Sequence, residues 1–97
     1  MSVMITLELP VKPNMLGEYL DILKEALVET RNYKGCNNVT TLVDQETSSV
    51  ILLEEWDSVE DQQAYMAWRV ETGLLDAIAP FMQGDPITRN FDLKTEI

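Results

Sequence analysis

The sequence predicts a single α+β domain over residues 1–97, and three observations carry that prediction: two kinds of apolar periodicity alternate along the chain, Pro and Gly fall between the periodic stretches, and the composition is that of an ordinary globule. Hydrophobic residues make up 45% of the 97 and charged residues 25%, enough for one core and too short for a second.

Residues 3 to 9 alternate, with Val3, Ile5, Leu7 and Leu9 on one face and Met4, Thr6 and Glu8 on the other. That is a strand, ended by Pro10 and Pro13. Asn14 is the expected cap of a helix whose apolar positions Leu16, Tyr19, Leu20, Leu23, Ala26 and Leu27 recur every three or four residues. Tyr33-Lys34-Gly35 should stop it. Two strands follow, about Asn38 to Val43 and Ser49 to Trp56, joined by the polar turn Asp44-Gln45-Glu46-Thr47 into an antiparallel hairpin. Ser58 with Asp61 is an acidic variant of the capping box and opens a second helix, which Gly73 should bend or break. Leu74, Leu75, Ile78 and Phe81 continue a helical pattern, and Gly84-Asp85-Pro86 turns the chain into a last strand, Ile87 to Leu93.

The order β-α-β-β-α-β is the split βαβ, ferredoxin-like motif, a four-stranded antiparallel sheet with its helices on one face. The third strand is nonetheless apolar on both sides: Val50, Leu52 and Trp56 point one way, Ile51 and Leu53 the other. A soluble sheet should carry polar residues on its open face, so the sequence predicts a homodimer closed sheet against sheet.

Seven basic residues against 17 acidic give a net charge of −10, a field that repels nucleic acid and anionic membrane surfaces. Cys36 is alone, which suits a reducing compartment. The N-terminal residues lack a secretory pattern and no stretch is long and apolar enough to span a membrane, so a cytoplasmic location is expected. The acidic cluster Glu54, Glu55, Asp57, Glu60 and Asp61 reads as a solvated strand end and helix start.

There is no histidine. Ser-His and Cys-His nucleophile pairs are therefore impossible, and no zinc, nucleoside-phosphate or dinucleotide spacing is present. Glu54 and Glu55 point to opposite faces of their strand and cannot share one proton, but Glu54 lies on the side of Trp56, where desolvation would raise its pKa. Cys36 has no evident base partner and reads as a small buried hydrophobe. Tyr65, Trp68 and Arg69 stand at i, i+3 and i+4 on one face of the second helix. Together with Trp56 they either fill the core, Arg69 neutralising a carboxylate, or line a cleft in which flat rings stack on a flat ligand and Arg69 stabilises an anion. Tyr33 and Asn38 flank the start of the second strand, where they serve a turn or add hydrogen bonds at the mouth of that cleft.

The run Thr30-Arg31-Asn32-Tyr33-Lys34-Gly35-Cys36, followed by Leu53-Glu54-Glu55-Trp56-Asp57-Ser58, resembles the antibiotic biosynthesis monooxygenase family, with its T-R-x-x-x-G-C turn and E-E-W-x-S strand end. The resemblance implies a dimeric α+β barrel. It also implies oxidation of quinols, anthrones or similar electron-rich phenols by O₂ without metal, flavin or haem. In that reading Arg69 or Tyr65 stabilises a phenolate as the catalytic group, and Trp56, Trp68, Glu54 and Asn38 contact an apolar aromatic substrate. Family members often carry a histidine where Tyr65 stands and another where Val70 stands; this chain has neither, so a histidine-based proton transfer does not carry over. The haem-degrading relatives use an Asn on the first strand and a His on the second helix, both missing here. A non-catalytic binding or accessory dimer on the same fold is the alternative.

Overall fold

Alternation from Val3 onward produces strand β1, Val3–Pro10, with Ile5 and Leu9 buried. The computed structural model describes residues 2–97. After β1, Pro13 opens a short 3₁₀ turn, Pro13–Met15, that runs directly into helix α1, Leu16–Arg31. The expected Asn14 cap does not form. Met15 is the N-cap and makes no side-chain bond, because the helical turn begun at Pro13 already carries the chain into α1.

Strands β2, Cys36–Asp44, and β3, Ser49–Trp56, form the expected hairpin, whose turn is closed by Asp44 Oδ1 accepting from the amides of Glu46 and Thr47. β2 starts two residues before the expected Asn38, since a register shift between Cys36 and Asn38 lets Cys36 pair with Trp56. Ser58 caps helix α2, Val59–Glu71, accepting from the Asp61 amide at 3.1 Å. Gly73 breaks the helix at φ 101°, and helix α3, Leu74–Ile78, follows before a 3₁₀ turn and strand β4, Ile87–Asp92.

The strands form one antiparallel sheet in the order β2-β3-β1-β4. This is the ferredoxin-like α+β fold. Along β3 every second residue, Val50, Leu52, Glu54 and Trp56, is buried beneath the helices, while Ile51, Leu53 and Glu55 face the open side. One core joins Leu9, Val11, Val50 and Leu52 of the sheet to Tyr19, Leu23 and Leu27 of α1; a second joins Ile5 and Trp56 to Tyr65 of α2. The open face carries Leu42, Ile87 and Phe91 exposed beside Ile51 and Leu53. No helix among the described residues is long and apolar enough to cross a membrane.

Gly35 joins the two halves of the fold. Its carbonyl accepts from the Asp57 amide at 2.8 Å, and it adopts φ +89° with its Cα against the first turn of α2. An added Cβ would lie 2.5 Å from Asp61 Oδ2 and 2.6 Å from Asp61 Cβ. Gly35→Ala is therefore expected to destabilise the protein by about 2 kcal/mol or more, from left-handed strain plus this clash. Ser58→Ala, which loses only the cap, should cost about 1 kcal/mol. Urea unfolding of the two variants checks the ranking.

Candidate functional site

The Ser58 cap fixes where α2 begins and so fixes its phase, which turns Tyr65, Met66, Arg69 and Val70 toward α1 and the sheet. Arg69 Nε donates to the Tyr65 hydroxyl at 2.7 Å, and its Nη2 donates to the Ala26 carbonyl at 2.8 Å and to Thr30 Oγ1 at 3.3 Å. The Tyr65 hydroxyl and Thr30 Oγ1 are 2.6 Å apart, and Thr30 Oγ1 lies 3.4 Å from the Ala26 carbonyl. Each hydroxyl proton has an acceptor when Tyr65 donates to Thr30 and Thr30 to Ala26. The remaining guanidinium nitrogen lies 3.6 Å from Glu29, whose side chain is 65% exposed, so that ion pair is weak. This buried clasp ties the last turns of α1 to α2.

Behind the clasp, between the helices and the sheet, lies a cavity of about 220 Å³. Its inner wall is Leu7, Leu9, Leu23, Leu27 and Leu52, and its mouth is formed by Val70, Leu75, Pro86 and Thr88, which reach solvent. Five of its other wall positions are polar: Tyr19, Thr30, Glu54, Tyr65 and Arg69. The volume exceeds the ~150 Å³ of a cavity that holds benzene and falls short of the ~300 Å³ where drug-sized sites begin. A one- or two-ring aromatic fits that range.

Glu54 is 2% exposed. Its Oε1 accepts from Trp56 Nε1 at 2.9 Å, and among the described residues Oε2 has no hydrogen-bond partner. No buried side-chain nitrogen or oxygen is left unpaired among those residues, so Oε2 meets the cavity rather than protein. Burial pushes the Glu54 pKa up, and the Trp56 bond opposes this in part. Burial, and then the charge of Glu54, pushes the Cys36 thiol up against Arg31 and the Asn38 amide, the opposite of what activates a thiol.

The structure brings Tyr65, Arg69 and Glu54 to one cavity. Trp56 and Trp68 stand behind that wall. Trp56 is fully buried, with its ring 5.3 Å from Tyr65, and Trp68 stacks on Tyr33 at 5.5 Å and lies 4.8 Å from the Arg69 guanidinium carbon. Asn38 is on the open face of the sheet, its side chain donating to Thr40, far from the mouth expected for it. Two site residues escape a sequence reading. Thr30 looks like an ordinary late-helix residue until Tyr65, distant in sequence, meets it. Tyr19 looks like a core position, yet its ring rests 5.5 Å from Phe81, it lines the cavity, and its hydroxyl has no protein partner among the described residues. Burial first and Tyr65 second push its pKa up to about 12, which holds its proton in place. The described residues contain no cluster of His, Cys, Asp and Glu placed to hold a metal ion.

The sequence model of the antibiotic biosynthesis monooxygenase family matches residues 2–79. No curated protein matches by sequence. Among solved structures, a conserved protein from Methanosarcina mazei Go1 superposes with a TM-score of 0.82 at 16% identity, over 96% of this chain and 93% of that one. A monooxygenase from the gene ActVA-Orf6 of Streptomyces coelicolor, in complex with nanaomycin D, gives 0.80 at 17%, over 99% and 90%. A third structure, of an antibiotic biosynthesis monooxygenase, gives 0.80 at 21%, over 94% and 97%. At these identities the likeness is one of fold.

The raised Glu54 pKa sets a sign. The native state holds the Glu54 proton at a higher pH than the unfolded chain, so stability falls as pH rises from the unfolded value near ~4.3 through the folded value. Glu54→Gln keeps an acceptor for Trp56 and cannot titrate. Its stability relative to the wild type should therefore rise across that window and stay level on either side, as read from urea midpoints at a series of pH values. A difference that is constant with pH would show that burial does not perturb Glu54.

Proposed function

Because the chain belongs to the antibiotic biosynthesis monooxygenase family, we propose that it binds a small electron-rich phenol or quinol in the cavity between helices and sheet and oxidises it with O₂ without a bound cofactor. The observation that carries this reading is the cavity itself: aliphatic on most of its wall, of one- to two-ring size, and bordered by a guanidinium. The neighbouring monooxygenase of Streptomyces coelicolor, solved with nanaomycin D, supports the aromatic class of ligand.

A hydroquinone converts to a hydroxyquinone by taking one atom of O₂ into the ring while the other leaves as water, all four electrons coming from the substrate. The electron donor is the anion. The protein's part is then to exclude water, orient the ring and favour the phenolate. Arg69 does this through its charge, because Nε and one terminal nitrogen are committed to Tyr65, Thr30 and Ala26 and the other terminal nitrogen is turned toward Glu29. Tyr65 shares the cavity wall with that charge and accepts from it. The same commitment of donors favours the second reading, a binding dimer without turnover.

Oxygen uptake by metal-stripped protein with hydroquinones, naphthoquinols and anthrones separates the two. The monooxygenase reading expects uptake above the spontaneous rate, lowered about tenfold or more in Arg69→Ala, about 1.4 kcal/mol of barrier, under conditions where circular dichroism shows the variant folded. Ligand-induced stabilisation with no uptake favours the binding reading.

The protein works as a homodimer closed through the open sheet face. The support is physical: Leu42, Ile51, Leu53, Ile87 and Phe91 lie on the open face around Thr6, Glu8 and Arg89, and a second copy would cover them. In sedimentation equilibrium the wild type should have twice the chain mass, and Leu53→Glu, which puts a charge at the centre of that face, should have the chain mass. A monomeric wild type at micromolar concentration rejects the dimer.

A further inference from the structure

Of the polar groups on the cavity wall, most are spent within the protein. Tyr65, Thr30 and Arg69 bond to one another and to the Ala26 carbonyl. Two are not spent. Glu54 Oε2 and the Tyr19 hydroxyl have no protein partner among the described residues, and both side chains are more than nine-tenths buried, at 2% and 4% exposure. Each is fixed from behind, Glu54 by Trp56 Nε1 and the Tyr19 ring by Phe81. Both atoms open onto the cavity.

We propose that Glu54 and Tyr19 are the recognition pair of this cavity, Glu54 Oε2 accepting from a ligand hydroxyl and the Tyr19 hydroxyl donating to a ligand oxygen, so that the site selects a one- or two-ring aromatic bearing both. The inference rests on the reading of the cavity as the ligand site. It narrows the ligand to a hydroxyaryl compound with a second oxygen, such as a hydroquinone or hydroxyaryl ketone. It also disfavours two neighbouring classes: a bare hydrocarbon leaves two polar atoms of the wall without partners, and an aryl carboxylate brings a second negative charge wherever Glu54 is ionised. During oxidation the hydroxyl proton passes to Glu54 Oε2 and its bonding pair stays on the ligand oxygen, which leaves the phenolate and a neutral carboxyl.

The test is binding, so it does not depend on turnover. Equilibrium dialysis at pH 8 with naphthalene, 1-naphthol, 1-tetralone and 1-naphthoate measures each contact separately, for wild type, Glu54→Gln and Tyr19→Phe, with circular dichroism to confirm folding. In the wild type, 1-naphthol should bind about tenfold or more tighter than naphthalene and 1-naphthoate should bind worst. Glu54→Gln should lower the preference for 1-naphthol over naphthalene about tenfold and relieve the rejection of 1-naphthoate. Tyr19→Phe should weaken 1-tetralone roughly three- to tenfold and leave naphthalene unchanged. Equal binding of naphthalene and 1-naphthol in the wild type overturns the recognition pair while leaving the cavity as a ligand site, and so does a uniform shift of all four compounds in both variants. Binding of none of the four overturns the cavity reading and this inference with it.

Discussion

The arrangement of the site depends on the clasp by which Arg69 holds Tyr65, Thr30 and the Ala26 carbonyl. A cavity of about 220 Å³ forgoes packing that, at some 24 cal/mol per Å³, is worth roughly 5 kcal/mol if the space is dry. Left to apolar packing alone, α1 and α2 would move together and close it. Hydrogen bonds to a charged group contribute about 1.5–3 kcal/mol each, and they have fixed lengths. Two of them cross from Arg69 to Ala26 and Thr30 of α1, and with the Tyr65–Thr30 bond they hold the helices at a set spacing instead of the smallest one. The ring of Tyr65 acts as the spacer, seated on Trp56 below and Tyr33 beside it.

Much of this frame is legible in the sequence, because it follows from local rules. The β3 alternation, the Ser58 cap and the breaks at Gly35 and Gly73 are each decided within a few residues, and each forms where it is expected. The Asn14 cap fails for an equally local reason: Pro13 starts a turn of its own and Met15 takes the capping position. The site is less legible. The i, i+4 pair Tyr65 and Arg69 is visible on a helical wheel, but their partner Thr30 belongs to another helix. Trp56 and Trp68 share the right faces with the cavity wall and still stand behind it, since periodicity gives a direction and not a depth. Tyr19 is the sharpest case. On a wheel it is interchangeable with the leucines around it, and only the helix-to-sheet spacing decides whether its hydroxyl meets protein, solvent or cavity.

The two sequence motifs that mark the family are one structural unit here. The Thr30 to Cys36 run supplies the clasp acceptor, the left-handed Gly35 and the first residue of β2; the Leu53 to Ser58 run supplies Glu54, Trp56 and the cap of α2. Cys36 pairs with Trp56, and the Asp57 amide bonds to the Gly35 carbonyl. The position of each motif therefore sets that of the other, and both set the cavity between them. A chain could keep its helices and strands with either motif altered, yet the register of α2 against α1, on which Tyr65 and Arg69 depend, would be lost.

Absence of histidine redistributes the acid–base chemistry of such a site. A neutral imidazole can accept a proton near pH 7, and nothing in this chain does so by its intrinsic pKa. A carboxylate can approach that range only if it is desolvated, which is what burial does to Glu54. Burial raises Tyr19 as well, to about 12, so one group becomes a better proton acceptor and the other a more certain donor. Shifts of this kind need a low-dielectric wall between the groups and water. The leucines that line the cavity provide it, and so the apolar lining that admits an aromatic ligand also tunes the two polar groups that would hold it.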